Sequence, residues 1–141
     1  MVQTAKARFG TTINCMDGRS VEATIIWMKK KFRLDHIDAI TEPGMVALIG
    51  RMDEEARAWL KKKLGISILH HGSRTVTVVG HADCAGNPVD AMRHEADIAK
   101  SVVAIRELVS EIAHDEKVEV LGLYVFFDPN ERAPHAEIRK L

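Results

Sequence analysis

Cysteine, aromatic residues, excess charge of one sign and long hydrophobic runs are all scarce in this chain. Two of its 141 residues are cysteines and 5% are aromatic. Lys plus Arg and Asp plus Glu each number 20, so no overall field favours nucleic acid or an anionic membrane as a partner. No apolar run approaches the ~20 residues that span a bilayer, and residues 1–6 lack the apolar core of a signal peptide. We therefore expect a cytoplasmic protein with reduced thiols.

What the chain does contain is apolar sequence, at 46% of residues, in segments that alternate between two periodicities. Its length suits one domain, spanning 1–141, that can bury a substantial hydrophobic core. β-prone apolar stretches at 11–15, 37–41, 75–80 and 118–127 predict strands, and helical spacing of apolar residues predicts helices between them. This order predicts an α/β fold with a central, mostly parallel sheet of about four to five strands flanked by helices.

Three polar residues are candidate helix N-caps. Ser20 precedes an apolar stripe that ends near Arg33, and Asp53 precedes another that ends near Gly72. Asn87, followed by Pro88 at the first helical position, opens helical sequence that continues to about residue 113. Side chains of these types accept hydrogen bonds from the first free N–H groups of a helix.

The two cysteines lie in short polar segments that each follow a predicted strand. The first segment is Cys-Met-Asp-Gly-Arg at 15–19, and the second is His-Ala-Asp-Cys at 81–84. The carboxyl ends of parallel strands share one sheet edge, where functional crevices lie, so Cys15, His81 and Cys84 can meet if the first and third strands are neighbours. Two thiols and an imidazole are ligands for a catalytic Zn²⁺ with one open position. The alternative is a disulfide, which a reducing compartment disfavours.

Asp17 and Arg19 stand two residues apart in the turn after the first strand. A guanidinium can hold a carboxylate by a two-pronged contact. Zinc lowers the pKa of a bound water from about 15.7 towards about 7, and an oriented Asp17 could accept a hydrogen bond from that water. Asp17 could instead bind the metal and close the site, or cap the helix that follows.

The pattern C-x-D-x-R after the first strand, with G-H-x-x-C-x-G after a later one, resembles the β-class carbonic anhydrases over most of the chain. The resemblance implies a β-carbonic anhydrase-like fold with Zn²⁺ on Cys15, His81 and Cys84. It also implies an Asp17–Arg19 dyad and reversible hydration of CO₂ to bicarbonate. A homodimer or higher oligomer with its sites near the subunit interface is expected as well.

The chain departs from the family pattern mainly after the second strand. Familiar members carry Arg-Asn-Ala-Gly there, and this chain has Thr-Glu-Pro-Gly at 41–44. Gly18 and Ala85 are milder changes within the two motifs. Two alternatives to CO₂ hydration therefore stay open. One is hydrolysis of a related heterocumulene, COS or CS₂, and the other is a non-catalytic zinc-binding or regulatory module in which Asp17 closes the fourth position.

Two further polar residues near the motifs have competing interpretations. Asp83, between the expected ligands His81 and Cys84, is either an exposed loop carboxylate or a residue that supports the ligands. His94 titrates in the range of a proton shuttle, but the favoured interpretation is a solvated histidine on a helix.

The remaining candidates have structural interpretations. His70 and His71 are expected to cap a helix end, where cationic side chains suit the helix dipole. Trp27 and Trp59 are expected to anchor the core or a subunit interface. The lysine run at 61–63 is expected to be a solvated helix face.

Overall fold

The computed structural model describes residues 6–114, 117–132 and 136–141. Residues 1–5, on which the expectation of no signal peptide partly rests, lie outside the described residues. The strands are β1 Phe9–Cys15, β2 His36–Glu42, β3 Thr75–His81, β4 Glu119–Phe126 and β5 Glu137–Lys140. The helices are α1 Gly18–Phe32, α2 Met45–Gly50, α3 Glu54–Gly65 and α4 Ala91–Ile112, with a π-helical turn Ile66–His70 directly after α3.

The strands form one five-stranded sheet in the order β2-β1-β3-β4-β5. The first four are parallel, and β5 is antiparallel to β4. The predicted α/β fold with a mostly parallel sheet is confirmed, and β1 and β3 are neighbours, as the expected meeting of the cysteine segments requires. β5 was not predicted because its sequence, Glu-Ile-Arg-Lys, is charged and largely exposed, and so it lacks the apolar alternation of a half-buried strand.

The sheet buries a different hydrophobic cluster on each face. Side chains alternate between the faces of a strand, so Val76 and Val78 of β3 join the larger cluster and Val79 joins the smaller one. The larger cluster includes residues of α2, α3 and α4. The smaller contains Leu123, Val125 and Phe127, covered by residues of α1 and β5. Among the described residues, no helix has both the length and the apolar character needed to cross a membrane.

The start of α1 differs from the prediction. The helix begins at Gly18, and Asp17 is its N-cap, because the Asp17 carboxylate accepts a hydrogen bond from the backbone N–H of Arg19. Ser20 is not the cap. It is fully buried, and its hydroxyl donates to Asn14 Oδ1 at 2.7 Å. This contact pins the first turn of α1 to β1, directly beside the first cysteine segment.

α4 begins later than predicted. Its N-cap is Asp90, whose carboxylate accepts from the backbone N–H of Arg93. Asn87 does not cap the helix and Pro88 is not its first residue. Asn87 is instead a buried loop residue whose amide donates to Asp97 Oδ2 at 3.2 Å. Asn87 therefore ties the loop after Cys84 to the side of α4.

α3 follows the prediction more closely, since Asp53 caps it by accepting from the backbone N–H of Ala56 at 2.8 Å. Gly65 does not break the helix, which widens there into the π-helical turn and keeps Ile68 buried. α2 was not predicted. It is a six-residue helix in a short apolar run, too brief to show helical periodicity in the sequence.

Candidate metal centre

Cys15, His81 and Cys84 converge at the carboxyl ends of β1 and β3. Cys15 is the last residue of β1, His81 is the last residue of β3, and Cys84 lies in the loop that follows. One side-chain N or S atom from each lies within 4.8 Å of the others, and all three residues are buried. Within the part of the chain that the structure describes, no other group of His, Cys, Asp or Glu side chains meets in this way.

The imidazole of His81 presents an unsatisfied nitrogen to this group. Nδ1 lies 2.7 Å from the carbonyl oxygen of Ala82, which can only accept, so Nδ1 donates. Nε2 is the one buried side-chain nitrogen or oxygen in the described residues without a hydrogen-bond partner. Buried polar atoms are nearly always paired, and metal-bound histidines typically donate their second nitrogen to a carbonyl or carboxylate. The geometry of His81 therefore leaves Nε2 available to bind a metal ion.

The two thiols are free rather than joined in a disulfide, with their Sγ atoms 3.8 Å apart. Contact with the Cys84 thiol, helped by His81 and the backbone N–H groups of Asp17 and Gly44, lowers the pKa of Cys15 to about 3. The same contact and burial raise the pKa of Cys84. The pair thus shares one proton at a place where a cation could replace it.

The electrostatics of His81 agree with this arrangement. Burial lowers the pKa of His81, but its interactions with Cys15 and with the Ala82 carbonyl outweigh burial, so the net shift is upward. Two thiols and an imidazole with a free nitrogen are the donor set that Zn²⁺ prefers. The residues present therefore fit a zinc ion, with Cys15, His81 and Cys84 as the side chains that could hold it.

The Thr-Glu-Pro-Gly segment at 41–44, where the chain leaves the family pattern, lies directly against the site. The backbone N–H of Gly44 donates to Cys15 Sγ at 3.5 Å. Gly44 has a φ of 57°, in the left-handed region that favours glycine. Beside this contact, the backbone N–H of Met16, the residue after Cys15, donates to the carbonyl of Glu42 at 3.2 Å. This segment therefore supplies part of the backbone that surrounds the first cysteine.

Asp17 and Arg19 form the predicted two-pronged pair. Arg19 Nε lies 3.0 Å from Asp17 Oδ1, and Nη2 lies 2.6 Å from Oδ2. Hydrogen bonding to the Arg19 guanidinium holds the pKa of Asp17 below its usual range, and the same pairing raises the pKa of Arg19. Asp17 therefore caps α1 and pairs with Arg19 at once, so these two interpretations are compatible.

Arg19 also contacts the second cysteine segment. Its Nη1 lies 3.4 Å from Asp83 Oδ2. The Asp83 side chain is 57% exposed, as expected for a loop carboxylate, yet its backbone has a φ of 54°, which is uncommon for a residue other than glycine. Through Arg19, the two segments that carry the candidate ligands are joined on their outer side.

The expectation for His94 was wrong. His94 is 1% exposed rather than solvated, and its ring packs under Gly80, where a Cβ would lie 2.5 Å from the imidazole. Burial, then the charge of His81 at a ring separation of 6.4 Å, lowers the pKa of His94. The signal was available in the sequence, because His94 lies in phase with Ile98 and Ile105 on the buried stripe of α4.

The interpretations of His71, Trp27, Trp59 and the lysine run agree with the structure, and His70 is the exposed last residue of the π-helical turn. His71 follows the π-helical turn as its C-cap, and its Nδ1 lies 2.7 Å from Asp38 Oδ2. Trp27 packs on the smaller hydrophobic cluster and Trp59 on the larger one. Of the lysine run, Lys63 Nζ lies 3.8 Å from the centroid of the Trp59 ring, and Lys61 pairs with Glu111 at 3.0 Å.

Sequence reasoning missed Phe127, which lies immediately after β4 at the same sheet edge as the site. Its ring is 1% exposed and contacts both His81 and Arg19. The one available signal is its position after a buried parallel strand. A groove of about 1090 Å³ opens beside it, bounded by Asp17, Arg19, Trp27 and Ile138 among others.

The fold is similar to that of three solved carbonic anhydrases. A tetrameric β-carbonic anhydrase of the ascomycete Sordaria macrospora matches with a TM-score of 0.63 at 12% identity, over 98% of this chain and 82% of that one. The carbonic anhydrase of Streptococcus mutans matches with a TM-score of 0.51 at 16% identity, over 98% and 87% of the two chains. A β-carbonic anhydrase of Aspergillus fumigatus matches with a TM-score of 0.51 at 18% identity, over 96% of this chain and 76% of that one.

These similarities show that the fold of the chain is that of the β-carbonic anhydrases. No curated protein sequence matches the chain significantly. The sequence model of the family described as putative carbonic anhydrase matches residues 5–130. Since that match covers most of the chain, the protein belongs to this family.

Proposed function

We propose that this chain is a zinc-dependent carbonic anhydrase that reversibly hydrates CO₂ to bicarbonate and a proton. The observation that carries the proposal is the unpartnered Nε2 of buried His81 facing two buried thiols. Family membership supports the reaction, and the donor set supports the metal. In this proposal Cys15, His81 and Cys84 bind Zn²⁺, and residues 1–141 act as one zinc-binding domain.

Bound zinc supplies a Lewis acid that makes hydroxide available near neutral pH. The chain's own residues first balance the charge of the metal. The thiolates of Cys15 and Cys84 would neutralise a dication, so the metal centre would carry no net charge. The backbone N–H of Gly44, at 3.5 Å from Cys15 Sγ, stabilises negative charge on that sulfur. The Ala82 carbonyl keeps the hydrogen of His81 on Nδ1, so the lone pair of Nε2 is free to bind the metal.

Asp17 orients the reacting water. A carboxylate offers about four acceptor positions, and Arg19 fills three of them through its backbone N–H, Nε and Nη2. The position left on Oδ2 can accept a hydrogen from water at the edge of the site. Because Arg19 keeps the pKa of Asp17 low, Asp17 accepts this hydrogen bond as a carboxylate throughout the neutral range.

Arg19 has the role of holding Asp17 rather than of binding substrate. Both Asp17 oxygens are engaged by one rigid guanidinium, which limits rotation of the carboxylate towards the three candidate ligands. Asp17 is also outside the group of side chains that converge within 4.8 Å. Both observations favour an orienting Asp17 over one that binds the metal.

The setting of the proposed enzyme follows from its relatives and composition. The Sordaria relative is tetrameric, and we propose that this chain likewise works as a homodimer or higher homo-oligomer. Its net charge of zero gives no reason to expect a nucleic-acid or membrane partner. The proposed partner is therefore a small molecule, CO₂ or bicarbonate, and the proposed location is the cytoplasm.

The test is a stopped-flow assay of CO₂ hydration on protein whose zinc content has been measured by elemental analysis. The expected result is one zinc per chain and turnover that increases from pH 6 to 9. Hydrolysis of COS without CO₂ hydration would replace the proposal with the heterocumulene hydrolase. Stoichiometric zinc with neither activity would instead identify a non-catalytic zinc-binding module.

Asp17→Asn tests the orienting role. Asparagine remains a good N-cap, so α1 should be kept while the carboxylate is lost. We expect kcat to fall at least tenfold with zinc content unchanged. Asp53→Asn is the matched control, since Asp53 caps α3 in the same way and plays no part in the proposed site. A large loss of zinc in Asp17→Asn alone would identify Asp17 as a metal ligand instead.

A further inference from the structure

Phe127 is a buried ring that contacts residues of both candidate site segments. Its centroid lies 5.9 Å from that of the His81 ring, with the two planes 20° apart. The guanidinium carbon of Arg19 lies over the Phe127 ring, 4.4 Å from its centroid. One side chain thus touches a candidate metal ligand and the residue that clamps Asp17.

The fold holds this ring firmly. β3 and β4 are parallel with His81 paired to Val125, so Phe127, two residues further along, projects from the same face as Val125. There it packs in the smaller hydrophobic cluster with Val79 and Val125, against Trp27 of α1. A ring enclosed by packed side chains has little rotational freedom, and it can therefore restrict the groups that rest on it.

The two contacts restrict different motions. A guanidinium lying on an aromatic face is held by cation–π attraction, and Arg19 must keep one plane to direct Nε and Nη2 at the two oxygens of Asp17. For His81, the hydrogen bond to Ala82 fixes Nδ1 but leaves the tilt of the ring open. A nearly parallel neighbouring ring limits that tilt.

We propose that Phe127 is a positioning residue whose ring sets the plane of the Arg19 guanidinium and the tilt of the His81 imidazole. The catalytic part of this inference rests on the proposed function. The positional part does not, because it concerns contacts within the chain. A side chain that only filled the core could be replaced by another apolar group of similar bulk without consequence for either neighbour.

Phe127→Leu tests the proposal, since it keeps apolar bulk and removes the aromatic face. Phe127→Tyr restores the face. Leu123→Ala is the matched control, because Leu123 is fully buried in the same cluster and on the same face of β4 but makes no contact of this kind with the site. All three variants should fold, and their stabilities are measured alongside by urea denaturation.

The first measurement is the NMR resonance of the Arg19 Nε–H group, assigned by its loss in Arg19→Lys. In the wild type we expect a slowly exchanging resonance shifted by the ring current of Phe127. It should lose that shift and exchange at least tenfold faster in Phe127→Leu, and keep both properties in Phe127→Tyr and Leu123→Ala. This readout needs neither zinc nor turnover.

The second measurement is zinc affinity, by competition with a chromophoric chelator. Residues behind metal ligands typically change affinity by about 10–100-fold, so we expect about a tenfold loss in Phe127→Leu and less than a threefold change in Phe127→Tyr and Leu123→Ala. In the CO₂ assay, Phe127→Leu should lower kcat about tenfold with KM nearly unchanged. In an Arg19→Lys background the same change should lower kcat less than threefold, because the effects of residues that act together are not additive.

The outcomes separate the two hypotheses. A wild type that binds zinc without turnover overturns the proposed function, while the resonance and the zinc affinity still decide the role of Phe127. Phe127→Leu that matches Leu123→Ala in the Arg19 resonance and in zinc affinity, differing from the wild type only in stability, overturns the positioning role. If Phe127→Leu lowers kcat by the same factor with and without Arg19→Lys, the part of the positioning role that acts through Arg19 is overturned.

Discussion

Gly44 and Gly86 lie backbone to backbone. A Cβ placed on Gly44 would come within 2.4 Å of the Gly86 carbonyl oxygen, and a Cβ on Gly86 would come within 2.4 Å of the Gly44 nitrogen. Gly44 donates to Cys15, and Gly86 follows Cys84 by two residues. This contact therefore sets the spacing between the backbone that donates to Cys15 and the loop that carries Cys84, and it requires glycine on both sides.

Gly44→Ala should weaken both the fold and metal binding. The left-handed backbone alone costs alanine roughly 1–2 kcal/mol, and the new methyl group must also displace backbone rather than a flexible side chain. We expect zinc affinity to fall at least tenfold, measured by chelator competition. Gly50→Ala is the control, since a Cβ there meets nothing within 4 Å. Equal behaviour of the two variants would show that the contact does not shape the site.

His94 should make the protein less stable in mild acid. Burial lowers its pKa in the folded state from the ordinary 6.5, so below about pH 6.5 the unfolded chain takes up a proton that the folded chain does not. Stability is then complete above pH 6.5 and falls with decreasing pH, by up to about 1.4 kcal/mol per pH unit, until His94 is protonated in the fold as well.

The measurement for His94 is urea denaturation of zinc-loaded protein from pH 7.5 to 5. His94→Leu should remove part of the acid-side decline, so that the difference in unfolding free energy between the variant and the wild type changes across this range. A difference that is the same at every pH would contradict a buried neutral histidine. The prediction rests on burial, which is the largest cause of the shift and which remains when zinc keeps His81 neutral.

The change in unfolding free energy on substituting Asp83 should depend on its backbone conformation rather than on its charge. Its φ is 54°, which alanine tolerates poorly and asparagine and glycine tolerate well. We expect Asp83→Ala to lose about 1 kcal/mol of unfolding free energy and Asp83→Asn to lose less than about 0.5. The exposed ion pair with Arg19 at 3.4 Å contributes little. An Asp83→Asn variant as unstable as Asp83→Ala would show that the charge dominates.

Zinc removal should lower the melting temperature. At free zinc about 100 times its Kd, binding to the folded state alone adds about 2.7 kcal/mol, which corresponds to a rise of about 5–10 °C for a chain of this size. Calorimetry before and after chelation measures this shift. Cys84→Ser should abolish it, while the thermal response of Leu123→Ala to zinc should remain that of the wild type. A shift that survives in Cys84→Ser would place the zinc elsewhere.

The meeting of Cys15, His81 and Cys84 could be predicted because it depends on local signals. Two buried strands end at polar segments, and parallel strands bring such ends to one edge. The pairing of Asp17 with Arg19 is equally local, since the two residues share one turn. The N-cap of α1 was harder to predict, because Asp17 and Ser20 are both residue types that cap helices. Only the burial of Ser20 against Asn14 decides between them.

Contacts between distant elements could not be predicted in the same way. Phe127 and Arg19 meet because β4 lies beside β3 and α1 crosses the same face, and no periodicity encodes that combination. The Gly44–Gly86 contact likewise depends on two loops from different parts of the chain. β5 pairs with β4 through its backbone at the sheet edge. Such pairing does not require the apolar side chains by which a strand is recognised in a sequence.

The strand order has a kinetic consequence. Cys15 and Cys84 are 69 residues apart in sequence, and β1 is an interior strand only because β3 lies on one side of it and β2 on the other. Pairings between such distant segments form slowly, because closing a long loop costs entropy before any contact repays it. The rate at which the two thiols become protected from a labelling reagent during refolding should therefore report the rate at which β3 docks on β1.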